Sequence, residues 1–279
     1  MRTNARIAVG TVSDLFSESS VDGRDHIQSL ERGLAVITSF SQERPRQSIA
    51  EVAKRAEVSR AAARRILLTL EKLGFVGHDD RGDYSLRPAI LSLGYTYLAT
   101  LGLPDLARPV MEKLVAAVQH SCSIAVLDAD DAVYVGRVPS RRFVSFNLTI
   151  GSRLPAHLTA LGRVLLAGLD DPALRARLDR LNLTKRTQFS TDDRTALERE
   201  IVGVRKKGYA IVGQELEYGV WGVAAPIVDR RGMVRAAINL AIHDPKTSSS
   251  KIRERELVPL LKAAADISRS VADTLMFGA

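Results

Sequence analysis

The side chains best suited to binding chemistry lie close together near residue 60, and most of them are basic. Between residues 54 and 65 the only acid is Glu57, against five cations: Lys54, Arg55, Arg60, Arg64 and Arg65. Arginine binds phosphates or the O6/N7 edge of guanine, and a small residue such as Ala62 lets a helix approach base edges closely. The cluster therefore predicts a DNA-binding surface. The alternative is an ordinary basic helix face that is only solvated.

Two short helices would position this cluster. Ser48 and Glu51 have the spacing of a capping box, which starts a helix at Ile49. Ser59 can cap a second helix, and Gly74 can end it because glycine accepts the left-handed conformation. The second helix has one apolar face, formed by Ala63, Ile66, Leu67, Leu70 and Leu73. These signals predict two helices joined by a tight turn.

A hairpin and an earlier helix complete the predicted unit. Residues 75–78 and 83–86 flank a turn rich in Asp and Gly, which predicts two strands with Arg81 at the tip. A helix over residues 29–41 would cover the helix pair with Leu30, Leu34, Ile37 and Phe40. The unit is thus a winged helix-turn-helix. The residues that we predict to contact DNA are Ser48, Ser59, Arg60, Ala62, Arg64, Arg65 and Arg81.

The composition favours a cytoplasmic protein of two domains. The chain has 279 residues, 46% of them hydrophobic, and a net charge of +8, which favours a polyanionic partner. At roughly 150 residues per domain, it is long enough for two. The single cysteine, Cys122, excludes an intramolecular disulfide and a multi-cysteine metal site. No apolar run approaches the roughly 20 residues of a membrane helix, and the N-terminus has no signal-peptide core.

The order of elements predicts four segments. Residues 1–24 are polar and indicate a flexible tail, and residues 25–88 form the DNA-binding domain. Residues 89–104 contain a linker helix that is too apolar to be freely solvated. This helix packs either on its own domain or against a second subunit, and we favour the second because such DNA readers commonly bind two-fold symmetric sites as dimers. Residues 105–279 form a second domain.

The second domain is predicted to be α+β, with helices around an antiparallel sheet. The predicted strands lie at residues 122–127, 133–138, 143–149, 209–212, 223–228 and 234–241. The predicted helices lie at residues 105–119, 158–169, 172–181, 193–207 and 252–275.

No enzyme motif is found in this domain. His157, Glu215 and Glu217 are potential acids and bases, but no nucleophile elbow, P-loop, HExxH or CxxC motif accompanies them. His157 is best explained as a packing or helix-start residue, and Cys122 as a small buried apolar residue. We therefore expect no catalytic residue, no metal and no cofactor.

A small-molecule site fits the domain better. Arg153 lies just before a predicted helix start, where backbone N–H groups suit an anion. Arg137 follows the second strand, Glu215 opens a glycine-punctuated loop, and Asn239 lies in the last strand. Apolar walls with few polar groups and some cations suit a small organic acid.

Six long segments resemble the IclR family of transcriptional regulators: QSLERGLAVITSF, EVSRAAARRILLTLEKLGFV, VYVGRVPSRR, GSRLPAHLTALGRVLLAGL, GQELEYGV and VAAPIVDRRGMVRAAINLA. Within the family, the chain is most similar to the PcaR/PcaU/PobR group, which controls protocatechuate and 4-hydroxybenzoate catabolism through the β-ketoadipate pathway. The resemblance implies a winged helix-turn-helix, a dimerising linker helix and a GAF-like effector domain, in dimers or dimers of dimers.

The resemblance also implies an effector pocket. By matching motif, its residues are Ala160, Leu161, Gly222 and Asn239, with Glu215 near the mouth. The chain differs from several relatives at Leu161, Asn239 and Ala241, where they carry small or hydroxyl residues, and at Trp221. These departures bear directly on which acid the pocket accepts.

We therefore expect a ligand-responsive regulator of aromatic-acid catabolism genes that binds a palindromic operator as a dimer or tetramer. Its partners would be double-stranded operator DNA and a small aromatic or dicarboxylic acid, and it would not bind membranes. One alternative is an IclR-type regulator of another carboxylic acid. Two others are an enzyme with an appended DNA-binding domain and a constitutive DNA binder that uses charge alone.

Overall fold

The chain is described by a computed structural model that covers residues 26–140 and 148–273. The predicted tail at residues 1–24, most of the predicted strand at residues 143–149 and the end of the last predicted helix lie outside these ranges. The chain divides into two compact units between Ala99 and Thr100. This boundary falls inside the predicted linker, and the functional division into four segments stays a prediction.

The first unit contains three helices and a small antiparallel sheet. In chain order the elements are α1 (Gln28–Thr38), β1 (Arg46–Gln47), α2 (Ile49–Arg55), α3 (Arg60–Lys72), β2 (Val76–His78) and β3 (Tyr84–Leu86). The sheet order is β1-β3-β2, so a short strand before α2 joins the predicted hairpin. Its core includes Val36, Val52, Ala63, Leu67 and Tyr84. The predicted winged helix-turn-helix is confirmed.

The predicted caps form as expected. The Ser48 side chain accepts a hydrogen bond from the Glu51 backbone N–H, and the Glu51 carboxylate accepts one from the Ser48 backbone N–H at 2.8 Å. The Ser59 hydroxyl accepts from the Ala62 backbone N–H at 3.1 Å. Gly74 follows α3 at φ +83°, a conformation that favours glycine. Local sequence therefore defines where α2 and α3 begin and where α3 is followed by a turn.

The predicted apolar faces of α1 and α3 are partly wrong. Leu30 is 60% exposed and Leu34 is 40% exposed, whereas Ala35 and Val36 face the core. The neighbouring stripe has smaller side chains, and these fit closely against the other helices. Leu73 is 61% exposed because it is the residue that caps the C-terminus of α3, where the chain turns away.

The next helix, α4 (Leu91–Leu101), has no buried residue in the described chain. Its large exposed residues are Leu91, Leu93, Tyr95 and Tyr97. A solvated surface this apolar is unusual for a monomer. That α4 pairs with a second subunit stays a prediction.

The second unit is built on a six-stranded antiparallel sheet of order β6-β5-β4-β9-β8-β7. Its strands are β4 (Ser121–Asp128), β5 (Asp131–Val138), β6 (Arg153–Pro155), β7 (Ala210–Gly213), β8 (Val220–Val228) and β9 (Val234–His243). Its helices are α5 (Leu103–Val118), α6 (Ala160–Ala167), α7 (Asp171–Arg180), α8 (Arg194–Lys207), α9 (Ser249–Arg255) and α10 (Leu257–Asp273).

The sheet is covered on two faces. Helices α5 and α10 contact one face, and α6 contacts the other, with α8 and then α7 outside it. Ala160 and Leu161 of α6 pack with Ala125, Ala224 and Ala237 in one core cluster. The α+β class and the antiparallel sheet are confirmed. Among the described helices, none is long and apolar enough to cross a membrane.

Two helix predictions in this unit need correction. The predicted last helix is interrupted at Glu256, which separates α9 from α10. Pro259 accounts for the break, because its ring would clash with the carbonyl of Arg255 in a continuous helix. The predicted helix at residues 158–169 is shorter: Thr159 caps α6, with its Oγ1 accepting from the Gly162 backbone N–H at 3.0 Å.

Candidate DNA-binding and effector-binding sites

The N-terminal half of α3 presents a basic surface. Arg60, Arg64 and Arg65 are all exposed, while Ala63 and Leu67 on the opposite side are buried. None of these three arginines forms an ion pair within the described ranges 26–140 and 148–273. Their charges are therefore free to meet phosphates or guanine edges.

The wing is held in shape by Asp79. Its Oδ1 accepts hydrogen bonds from the backbone N–H groups of Arg81 and Asp83 at 3.0 and 3.1 Å, and its Oδ2 pairs with Arg46 at 3.1 Å. The backbone N–H of Asp83 and the Arg46 guanidinium hold the pKa of Asp79 below its ordinary value. Arg81 is exposed at the ordered tip, as a phosphate or minor-groove contact requires.

Three of the predicted contact residues, and Arg55 near them, also have local structural roles. The hydroxyls of Ser48 and Ser59 cap α2 and α3, and Ser48 Oγ also donates to Glu51 at 2.8 Å. Ala62 is half-buried at the start of α3. Arg55 belongs to the basic cluster, but its Nε donates to the Ser39 carbonyl at 3.1 Å, so it joins α2 to the end of α1. DNA contact by the predicted residues stays a prediction.

In the second unit, three polar side chains form a row across adjacent strands. Arg137 on β5 and Asn239 on β9 are both paired in register with Ser123 on β4. An Arg137 guanidinium N–H donates to Ser123 Oγ at 3.2 Å, and Ser123 and Asn239 are buried. Because neighbouring strands are about 4.8 Å apart, the row spans about 10 Å.

The start of α6 lies over the same face of the sheet. A Cβ on Gly222 of β8 would lie 3.2 Å from the Cβ of Ala160, so strand and helix are in close contact there. Alternation along β9 places Asn239 on the face of Ala237, which packs against α6. The structure thus brings five predicted effector residues to one face: Arg137, Ala160, Leu161, Gly222 and Asn239.

The row of Arg137, Ser123 and Asn239 could bind an anion. No carboxylate in the described part of the chain pairs with Arg137, and burial lowers the pKa of this arginine. Asn239 Oδ1 is buried without a hydrogen-bond partner there. Partial burial of a cation without a counter-ion is unfavourable, so a ligand carboxylate would complete the arrangement.

Arg153 lies outside this row, and its predicted role in binding the effector stays a prediction. Its guanidinium pairs with Asp128 at 2.6 Å and Asp131 at 3.0 Å, beside the turn between β4 and β5. Its register partner on β5 is Val133, four residues and about 13 Å along the strand from Arg137. Two carboxylates already neutralise the charge of Arg153.

Glu215 is also engaged elsewhere. Its carboxylate pairs at 2.6 Å with Arg163 of α6, which also pairs with Glu200 at 2.6 Å and donates to the His157 carbonyl at 3.0 Å. Burial raises the pKa of Glu215 despite the attraction of Arg163. This buried ion-pair cluster joins the loop after β7 to α6 and α8. Glu215 thus has a structural role, and its predicted place near the mouth of the effector pocket stays a prediction.

Two potential catalytic side chains among the described residues of this unit, His157 and Cys122, are poorly suited to acid–base or nucleophilic chemistry. Burial, with Arg163 and Arg186 nearby, lowers the pKa of His157 to about 4, so its ring is neutral near pH 7. Burial raises the pKa of the Cys122 thiol, which keeps it protonated and unreactive. Within residues 26–140 and 148–273, no three His, Cys, Asp or Glu side chains are grouped as metal ligands.

Ser123 was missed by the sequence predictions. Nothing in its local sequence separates it from other small residues of a buried strand. Its position between Arg137 and Asn239 depends on the register of three strands, and β9 is more than 100 residues away along the chain. The register pairing is the only signal that identifies it.

A winged helix-turn-helix joined to an α+β domain with an anion-accepting face defines the class of ligand-responsive DNA-binding regulators. The family model of the IclR helix-turn-helix domain matches residues 29–80, and that of the C-terminal domain of bacterial IclR transcriptional regulators matches residues 95–269. The chain belongs to the IclR family of bacterial transcriptional regulators.

Individual relatives agree with this assignment. The Pca regulon regulatory protein of Pseudomonas putida is 40% identical over 244 residues, 87% of this chain and 84% of that protein. The p-hydroxybenzoate hydroxylase transcriptional activator of Acinetobacter baylyi is 31% identical over 261 residues, 91% of this chain and 95% of that protein. A crystal structure of a transcriptional regulator from Rhodococcus sp. RHA1 is 41% identical, with a TM-score of 0.78, and covers 89% of this chain and 99% of its own. The family and group predicted from the sequence are confirmed.

Proposed function

We propose that this protein regulates genes for aromatic-acid catabolism in response to a hydroxybenzoate-like acid of the protocatechuate and 4-hydroxybenzoate type. The observation that carries the proposal is the partly buried Arg137, which has no carboxylate partner in the described chain, beside Ser123 and Asn239. The names of the relatives support it: one regulates a Pca regulon and another activates p-hydroxybenzoate hydroxylase. The protein acts in the cytoplasm and performs no catalysis.

The ligand carboxylate would bind Arg137, since a guanidinium binds a carboxylate through two parallel hydrogen bonds. The Ser123 hydroxyl can donate to the same carboxylate. Asn239 offers an amide oxygen that can accept a hydrogen bond from a ring hydroxyl. Ala160 and Gly222 are in close contact, so they would form an apolar wall at the start of α6, and a flat ring would bind beside this wall.

The DNA-binding unit would act as one half of a symmetric pair. In a homodimer, or a dimer of dimers, the exposed apolar residues of α4 would be covered by a second subunit. Two copies of α3 would enter successive major grooves of a palindromic operator. Arg60, Arg64 and Arg65 would contact bases or phosphates. Ser59 and Ala62 would lie where α3 comes closest to the DNA, and Arg81 of the wing would contact the flanking DNA backbone.

In this scheme residues 25–88 bind DNA, residues 89–104 link the domains, and residues 105–279 bind the effector. The acid would bias the arrangement of subunits and so the affinity for the operator. Coupling of this kind between two sites is typically about 1–3 kcal/mol, or a 5- to 150-fold change in affinity.

A thermal-shift and titration series tests the effector. The purified protein is mixed with 4-hydroxybenzoate, protocatechuate or β-ketoadipate, and with phenol as a matched compound without a carboxylate. A true effector at 100 times its Kd stabilises the protein by about 2.7 kcal/mol, and phenol does not. Stabilisation by phenol equal to that by 4-hydroxybenzoate would refute the carboxylate site.

Operator binding in the same mixtures separates the proposal from its alternatives. A regulator changes its operator affinity when the acid is added, and prefers operator to random DNA by roughly 10³-fold or more. Turnover of the acid without a change in operator binding would indicate an enzyme. Equal affinity for operator and random DNA would indicate a binder that uses charge alone.

A further inference from the structure

The two edges of the six-stranded sheet are not equally protected. At one edge, the strand β6 is three residues long and contains Arg153 and Pro155. Charged residues and proline are devices that keep an exposed edge from pairing with another chain. At the other edge, the strand β7 has the sequence Ala-Ile-Val-Gly, with neither a charge nor a proline. By this criterion β7 remains open to a further strand.

The inner side of β7 is paired along its length with β8, from Ala210 with Ala224 to Gly213 with Trp221. On its outer side no strand pairs with it within the part of the chain that the structure describes. The two residues that follow β7 do have partners on this side. The Thr187 hydroxyl donates to the Gln214 carbonyl at 2.6 Å, and the Ser190 hydroxyl donates to the Glu215 carbonyl at 2.6 Å. The segment that contains Thr187 and Ser190 thus bonds to the chain after β7, whereas no loop backbone group in the described chain bonds to Ala210–Gly213.

A cavity of about 500 Å³ lies along this outer edge. It touches Ala210 and Ile211, which point to opposite faces of the sheet, so it meets β7 at its edge. Its other wall is a stripe of α8 at helical spacing: Ala196, Arg199, Glu200, Gly203 and Lys207. A Cβ on Gly203 would meet nothing within 4 Å, so the middle of the stripe is open. The cavity is therefore a groove with space beside an unpaired strand.

The charges that line the groove indicate which kind of partner segment could bind there. Arg199 and Lys207 make no ion pair in the described ranges, whereas the one acid of the lining, Glu200, is paired with Arg163 at 2.6 Å. A second copy of this strand would bring its own Arg199 and Lys207 and add like charges. Complementary potential favours an acidic occupant.

We propose that the outer edge of β7 is a docking site for an extended acidic segment of a partner protein, which adds a seventh strand to the sheet. Main-chain hydrogen bonds to β7 would supply affinity, as in other cases of strand addition. Arg199 and Lys207 would select acidic side chains. This surface is separate from the effector face, and the inference stands whether or not the effector is an aromatic acid.

The test uses the full chain and a fluorescein-labelled peptide of eight residues in which glutamate alternates with valine. Matched peptides carry lysine in place of glutamate, or proline at the centre, which removes a main-chain donor. Fluorescence anisotropy should detect binding of the acidic peptide and at least about tenfold weaker binding of the other two. Hydrogen exchange of the Ala210–Gly213 amides should slow when the acidic peptide is present.

Protein variants locate the site. Arg199→Glu combined with Lys207→Glu should weaken binding by about tenfold or more, since two attractive contacts become repulsive. Lys206→Glu is the matched control on the same helix but outside the groove, and it should change affinity less than about twofold. An unaltered affinity in the double variant, as expected if the peptide binds the basic helix-turn-helix instead, would overturn the proposal. So would equal binding of the lysine peptide, no binding by the parent protein, or a change in sedimentation mass showing that β7 pairs with a second copy.

Discussion

The basic helix α3 and the buried row on the sheet both depend on arginines, but they differ in what surrounds these side chains. Arg60, Arg64 and Arg65 stand in solvent, where an unpaired charge costs little. Arg137 is partly buried and also lacks a carboxylate partner in the described chain. Arg163 is buried and has two carboxylates. The difference teaches that burial and partners together, rather than charge alone, separate the arginines that we propose to bind DNA or a ligand from the one that holds the fold together.

The largest expected effect is at Arg163. Arg163→Met leaves the carboxylate of Glu215 buried without its cation, which should lower the free energy of unfolding by about 3–5 kcal/mol. Urea unfolding can be followed through the single tryptophan, Trp221, which lies in the second unit. Arg175→Met removes an exposed pair with Glu198 and should change the stability far less, because solvent screens this pair. Similar losses in both variants would contradict a structural role for Arg163.

The next effect concerns effector affinity. Arg137→Ala should weaken binding of 4-hydroxybenzoate by about 2–5 kcal/mol, because the ligand carboxylate would be buried without its cation. Isothermal titration calorimetry measures this loss, and operator binding without the acid should be unchanged. In the control, Arg153→Ala, only the pairs with Asp128 and Asp131 are lost, and the affinity should stay within about twofold. If Arg153→Ala lost affinity and Arg137→Ala did not, the effector would bind at the other end of β5.

The DNA-binding unit was predicted well because its signals are local. The capping box of Ser48 and Glu51, the cap at Ser59 and the turn at Gly74 each lie within a few residues of the element that they define. Packing was less predictable. Helical periodicity identified the stripe of Leu30 and Leu34, but it does not say which stripe another helix covers.

The second unit was harder because its partners are distant in sequence. Arg153 pairs with Asp128, which is separated from it by 25 positions along the chain. Arg163 pairs with Glu215, at a separation of 52 positions. A sequence displays these charges but not the pairs that neutralise them. The same limit hid Ser123, whose neighbours come from two other strands. Arg137 was predicted as a cation after the second strand, and Asn239 from its place in the last strand and from the family resemblance; the register then brought them together.

A smaller effect is expected at the DNA surface. Arg60→Ala should weaken operator binding by about 1–3 kcal/mol and reduce discrimination among operator variants if Arg60 contacts a base. A uniform loss across sequences, with a shallower salt dependence, would identify a phosphate contact instead. Arg108→Ala removes an exposed charge from α5 in the other unit and serves as the control. Equal losses in the two variants would mean that only net charge matters.

The smallest effect separates backbone strain from charge at the turn between α2 and α3. Glu57 has φ +53°, and the following Val58 N–H bonds to the Ala53 carbonyl at 3.0 Å, which is the pattern of a helix end that normally carries glycine. Glu57→Gly should raise the free energy of unfolding by up to about 1 kcal/mol, because relief of left-handed strain outweighs the added flexibility of the unfolded chain. Glu57→Ala keeps the strain and removes the same charge. Both variants lose the only acid between residues 54 and 65, so both should bind operator slightly more tightly, by a few tenths of a kcal/mol, roughly the value of one exposed charge. Urea unfolding and operator titrations on the same two variants measure both quantities. A stability gain in both would show that the negative charge of Glu57 at the C-terminus of α2, rather than backbone conformation, limits this turn.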